Sequence, residues 1–153
     1  MTHMKKNILV VDDSALMRRV MCDIINSDSK FQATDYCRDG LEAYEKLKHT
    51  SYDGVVLDVN MPRMDGLQLL EKLQKEGIRA NVVMVSTLTD SREADVTILA
   101  MERGAIDFVA KPTNIIEAKG EAFKRQLLGI LNAVLATQKT AGGAPSVFLI
   151  EEI

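Results

Sequence analysis

Three short apolar runs and one more mixed run in this 153-residue chain each end on residues able to handle charge. Asp12-Asp13 follows Ile8–Val11 (ILVV), Asp58 follows Val55–Leu57 (VVL), Ser86-Thr87 follows Val82–Val85 (VVMV), and Lys111-Pro112 follows Ile106–Ala110 (IDFVA). If the runs lie side by side, three carboxylates, a hydroxyl and an ammonium converge on one edge. Two carboxylates about 4 Å apart repel by roughly 4 kcal/mol at an effective dielectric of about 20. Three of them therefore require a cation, and Lys111 supplies a single charge. A hard divalent ion with oxygen ligands, most naturally Mg²⁺, would close the deficit and leave water positions open to phosphoryl oxygens. Asp58 is the candidate nucleophile, because an aspartate accepts a phosphoryl group as an acyl phosphate. Mg²⁺ and Lys111 would neutralise the transferring group, and the Ser86 hydroxyl could donate a hydrogen bond to it.

Taken singly, none of these residues is diagnostic. An acidic pair before a helix is commonly a solvated cap, and Lys-Pro commonly ends a strand. Their joint placement at four strand ends gives the pattern its meaning, because doubly wound sheets bind ligands outside the carboxyl ends of their strands.

The intervening sequence supplies such a sheet. The apolar runs do not alternate, as expected of strands buried on both faces, while Phe31–Cys37 and Ile106–Ala110 are more mixed and suit positions nearer the edges. Between the strands lie amphipathic helices. Met17, Val20, Met21, Ile24 and Ile25 share one face. Asp39 with Glu42, Asp90 with Glu93 and Asn114 with Glu117 are helix-start signals. A further helix follows Asp65-Gly66 and stops at Gly77, and a last one runs from about Ile115 to Thr137 with Phe123, Leu127, Ile130, Leu131 and Val134 on one stripe. Five strands and five helices in strict alternation predict an α/β fold with a parallel sheet covered on both faces. Beyond Thr137 the pattern fails, with GGAP at 142–145 a linker-like break and VFLIEEI at 147–153 a short apolar-acidic end.

Composition narrows the function classes. At 46% hydrophobic and 27% charged, the chain suits one globular domain. A formal charge of −3 gives no general electrostatic reason to bind nucleic acid or an anionic membrane. No apolar run is long enough to span a bilayer and the start turns acidic too soon for a signal peptide, so a cytoplasmic location is expected. Cys22 and Cys37 read as packing residues, and His3 and His49 as solvated ones without metal-ligand company. Arg18-Arg19, near the acidic mouth, reads as a solvated helix face.

At VVDDS (10–14), LDVNMPRMDG (57–66), MVST (84–87) and FVAKP (108–112) the chain resembles the receiver domain of two-component response regulators. That resemblance implies a flavodoxin-like (βα)5 domain over residues 7–137 with strand order 2-1-3-4-5, after an extension at 1–6 and before a linker or tail at 138–153. It implies Asp58 as phosphoacceptor from a histidine kinase. Asp13, Asp58 and the Asn60 carbonyl would be Mg²⁺ ligands, with Asp12 holding metal-bound water. Lys111 would pair with the phosphoryl group, and its peptide bond to Pro112 would be cis. Ser86 and Phe108 would form the switch that alters the face of the fourth helix, fifth strand and fifth helix toward an effector or partner protein. Thr87, bulkier than the small residue usual there, would slow water access to the phosphoryl group.

The stretches 12–28, 57–73, 82–89 and 104–112 further resemble the receiver of the chemotaxis protein-glutamate methylesterase, and TLTDSR (87–92) fits that family's longer segment after strand four. Its hydrolase would follow such a receiver, but no G-x-S-x-G occurs here and both histidines precede the region. The expectation is the receiver piece of such a methylesterase, its C-terminal effector domain missing here. The piece itself is expected not to be an enzyme apart from self-phosphorylation and dephosphorylation at Asp58. A stand-alone receiver acting through protein contacts is the alternative. A Mg²⁺-dependent aspartyl-phosphate phosphatase is more remote, since it wants Asp-x-Asp where this chain has Asn60. A flavodoxin-like cofactor binder is disfavoured, since three carboxylates would repel FMN phosphate.

Overall fold

The computed structural model describes residues 5–86, 99–112 and 114–135, with the side chains of Ser86 and Phe108 outside that description. The strands are β1 (Lys6–Val11), β2 (Phe31–Cys37), β3 (Gly54–Leu57), β4 (Val82–Ser86) and β5 (Ala105–Ala110). All neighbours pair in parallel, in the order β2-β1-β3-β4-β5. This is the expected α/β topology, with the two mixed strands at the edges.

The unbroken apolar runs have a direct physical cause. Successive side chains of a strand point to opposite faces, and both faces of this sheet are covered. Ile8, Val10 and Val56 join one core with α1 (Ala15–Asn26) and α6 (Glu121–Leu135). Leu9, Val11, Val55 and Leu57 join the other core with α2 (Gly40–His49) and α3 (Gly66–Lys75). A helical turn at residues 99–102, labelled α4, places Ala100 in that second core.

Helix starts follow the sequence signals. Ser14, Asp39, Asp65 and Asn114 each accept a hydrogen bond from the backbone N–H three residues on, capping α1, α2, α3 and the short α5 (Ile115–Ala118). At Asp65 the box is reciprocal, because the Gln68 side chain accepts from the Asp65 N–H. The start expected at Asp90 lies outside the described residues, as does Thr87.

Two expectations need correction. The last helix is not continuous: it breaks at Lys119-Gly120 into α5 and α6. Glycine is a poor helix former, and the Gly120 N–H closes a tighter bond to the Glu117 carbonyl three residues back, which ends α5. Second, no peptide bond among the described residues is cis, so Lys111–Pro112 is trans. Trans is the intrinsic preference of an X–Pro bond by about 0.5–1 kcal/mol. The Lys111 ammonium meets its carboxylates with the bond in that form.

Candidate acidic site at the carboxyl edge of the sheet

The two central strands deliver the carboxylates. β1 ends at Val11 and β3 at Leu57, and these residues are register partners, so the next residues, Asp12 and Asp58, come side by side. The backbone fixes both: Asp12 N–H donates to the Cys37 carbonyl at 3.1 Å and Asp58 N–H to the Val11 carbonyl at 2.9 Å. Asp12 is fully buried and Asp58 is 4% exposed, whereas Asp13 is exposed at the rim. One carboxylate oxygen from each of the three lies within 4.8 Å of the others.

Lys111, just beyond β5, reaches into this group. Its Nζ stands 2.8 Å from Asp12 Oδ2 and donates to Asp58 Oδ2 at 3.1 Å. Asp12 Oδ1 accepts from the Ser14 N–H at 2.8 Å. Asp12 Oδ2 is buried and has the Lys111 ammonium at 2.8 Å as its partner. Three carboxylates against one ammonium leave two negative charges if all are ionised. Burial, followed by the neighbouring Asp12 charge, pushes the Asp58 carboxyl up to about 6, with Lys111 opposing. Burial works against the charge on Lys111, but Asp12 and Asp58 outweigh it and hold the ammonium above its ordinary range.

A hard cation fits these residues. The donors are all oxygens, two of the three carboxylates are buried, and one ammonium leaves the local charge uncompensated.

The loop from Asp58 to Asp65 is held at both ends and in its middle. Gly66 N–H donates to the Val59 carbonyl at 2.8 Å, and Gly40 N–H donates to the Met64 carbonyl at 2.8 Å. The Arg63 guanidinium grips the buried Asp39 carboxylate, with Nε at 2.9 Å. Asn60 is exposed on this loop, two residues past Asp58. Arg18 is also closer to the site than a solvated face implies, since it donates to the Asp12 carbonyl at 2.8 Å.

The backbones of Ser86 and Phe108 lie in β4 and β5, paired with Ala110 and Met84 respectively. Ser86 therefore ends its strand at the same sheet edge as the acidic group. Sequence reasoning missed the Asp39–Arg63 contact. Asp39 was legible only as a helix cap, and the signal for more was an arginine placed between the turn residues Pro62 and Asp65-Gly66.

The response regulator receiver domain family matches residues 8–120. This chain belongs to that family. Among solved structures, the response regulator domain of Thermotoga maritima CheB is 34% identical to it, with a TM-score of 0.75 and coverage of 89% of this chain and 100% of that one. A chain of the CheX-CheY-BeF3-Mg²⁺ complex from Borrelia burgdorferi is 29% identical, with a TM-score of 0.69 over 84% of this chain and 88% of that one. The protein-glutamate methylesterase/protein-glutamine glutaminase of Pyrococcus horikoshii is 43% identical over 145 residues, which is 95% of this chain and 37% of that protein. The Escherichia coli K12 protein of the same description is 50% identical over 109 residues, 71% of this chain and 30% of that protein. The receiver thus spans about a third of the length of these curated relatives, and it is a CheB-like receiver of two-component signalling. No helix among its described residues is long and apolar enough to cross a membrane.

Proposed function

We propose that this receiver is a phosphorylation-controlled switch in which Asp58 takes a phosphoryl group from a histidine kinase. The observation that carries the reading is Lys111 Nζ set between Asp12 Oδ2 and Asp58 Oδ2, at 2.8 and 3.1 Å, in a site where one ammonium leaves the charge uncompensated. Asp13, Asp58 and the Asn60 carbonyl would hold Mg²⁺, with Asp12 reaching it through water. The bound ion would supply charge neutralisation for the phosphoryl oxygens. The Mg²⁺-containing complex of the Borrelia relative supports this choice of ion.

In the transfer, an Asp58 carboxylate oxygen bonds to phosphorus while the P–N bond of the kinase phosphohistidine breaks. The bonding electrons return to the imidazole nitrogen. Lys111, already paired with Asp58, follows the charge onto the phosphoryl oxygens, and its positive charge stays in place because the carboxylates hold its proton. Ser86, at the end of β4, would donate a hydrogen bond to the new group. With Phe108 it would alter the face made by α4, β5 and the helices after it. The effector under this control would be a methylesterase domain of the kind the relatives' names describe. A stand-alone receiver acting on a separate partner would use the same chemistry.

Incubation with acetyl phosphate and Mg²⁺, followed by intact-mass measurement, tests the reading. One phosphoryl adduct is expected on the wild type and none on Asp58→Asn. A wild type that takes no adduct at any Mg²⁺ concentration refutes it.

A further inference from the structure

The loop carrying Asp58 and Asn60 is held from the side by the turn that follows β2. Asp39 is 2% exposed and divides its carboxylate between two tasks. Oδ1 accepts from the Glu42 N–H at 2.9 Å and caps α2, while Oδ2 takes the Arg63 guanidinium through both Nε and Nη2. The adjacent Gly40 N–H donates to the Met64 carbonyl at 2.8 Å. That approach is so close that a Cβ on Gly40 would lie 2.4 Å from the same carbonyl oxygen.

Arg63 adopts φ 66, the only left-handed non-glycine backbone among the described residues. An L side chain resists that conformation, and arginine gains nothing from it locally. What the residue gains is the fork onto a buried carboxylate whose own position the α2 cap fixes. Val59 is buried in the core on one side of Asn60 and the Asp39–Arg63 clamp lies on the other. The placement of the Asn60 backbone relative to Asp58 is therefore set by these two anchors.

We propose that Arg63 and Asp39 are positioning residues that hold the 58–65 loop in its Mg²⁺-binding shape, so that breaking their pair weakens the metal without touching a ligand. The inference rests on the phosphoacceptor reading above. It assigns the pair a role beyond helix capping.

Calorimetric titration with Mg²⁺ alone tests it on the wild type, Arg63→Gly, Asp39→Asn and the double variant. Glycine accepts the left-handed backbone and removes the whole side chain, guanidinium included, while Asp39→Asn leaves the backbone of the loop as it is. Asparagine keeps the capping oxygen and removes the charge. Loss of a partner that orients a ligand directly weakens metals roughly 10–100-fold, and for this more indirect clamp we expect the Mg²⁺ Kd to rise about three- to tenfold in each single variant. The double variant should be no weaker than either single one, since both break one interaction. At saturating Mg²⁺ the rate of phosphorylation by acetyl phosphate should return to within about twofold of wild type, because Asp58 and Lys111 are untouched. Arg63→Lys, with charge but no fork, should fall between. A purely structural pair would lower the melting temperature and leave the Kd unchanged. An unchanged Kd in folded Arg63→Gly overturns the assignment while a phosphorylated wild type leaves the proposed function standing. If Arg63→Gly fails to fold, Asp39→Asn decides by the same criterion. A wild type that neither binds Mg²⁺ nor takes a phosphoryl group overturns both.

Discussion

Gly66 packs directly on the backbone of Asp58: a Cβ added to Gly66 would lie 2.2 Å from the Asp58 carbonyl oxygen and 3.1 Å from Val59 Cα. The first residue of α3 thus sits against the residue proposed to carry the phosphoryl group. Both contacts are backbone, so no side chain can swing aside to make room.

Gly66→Ala should therefore lower stability by about 1–3 kcal/mol, the range for overpacking a close-packed site. It should also displace Asp58 and slow its phosphorylation. Urea midpoints and acetyl phosphate kinetics on the same preparation check both. A variant with wild-type stability and rate would show that the loop yields freely.

Asp65 caps α3 one residue earlier, and its reciprocal bond with Gln68 fixes where the loop ends and the helix begins. Asp65→Ala should cost about 1 kcal/mol and Asp65→Asn appreciably less, since asparagine also caps well. Equal losses in the two variants, measured by urea unfolding, would mean that the carboxylate charge rather than the cap supplies the stability.

The sequence made the frame of this site legible because long-range order here follows local pattern. Unbroken runs such as Ile8–Val11 are explained only by burial on both faces, and parallel pairing then brings the strand-end residues Asp12 and Asp58 together. Cap signals at Asp39 and Asn114 depend on contacts three residues away and were equally readable. What escaped depends on neighbours distant in sequence or on backbone angles without a composition signal. Asp39 meets Arg63 across 24 residues, and nothing in MPRMD announces a left-handed arginine. The split between α5 and α6 was hidden because the apolar stripe from Phe123 to Val134 lies wholly within α6 and says nothing of how residues 115–120 join it. Leu135 joins the stripe in the core, and Ile130 packs against it partly buried.

The raised pKa of Asp58 predicts a pH dependence of the metal-free protein. Burial and then the Asp12 charge lift this carboxyl to about 6, against about 3.9 for an unfolded aspartate. The folded state therefore holds the proton more tightly than the unfolded state does. The corresponding stability is fully present below about pH 4 and is lost as pH rises through about 6, a change of roughly 3 kcal/mol for a shift of this size. Urea unfolding of wild type and Asp58→Asn, run in Mg²⁺-free buffer across that range, isolates the effect because other titrations cancel in the difference. The variant should gain on the wild type as pH rises. Parallel curves would show that Asp58 ionises at an ordinary pKa.

Lys111 and a divalent cation would answer the same uncompensated charge, so each should weaken the need for the other. Lys111→Met keeps much of the side-chain volume and removes the ammonium that stands 2.8 Å from Asp12 and 3.1 Å from Asp58. Breaking a buried ion pair from one side costs about 3–5 kcal/mol when the remaining charge stays ionised. Asp58 can escape part of that penalty by taking a proton, so the loss at neutral pH should fall toward the lower end. Mg²⁺ binds the folded state and stabilises it by mass action. The rise in melting temperature on adding Mg²⁺ should therefore be larger in Lys111→Met than in wild type, since the ion no longer shares its carboxylates with an ammonium. Melting curves with EDTA and with saturating Mg²⁺ measure both increments, and equal rises would mean that Lys111 and the metal do not compete for Asp12 and Asp58.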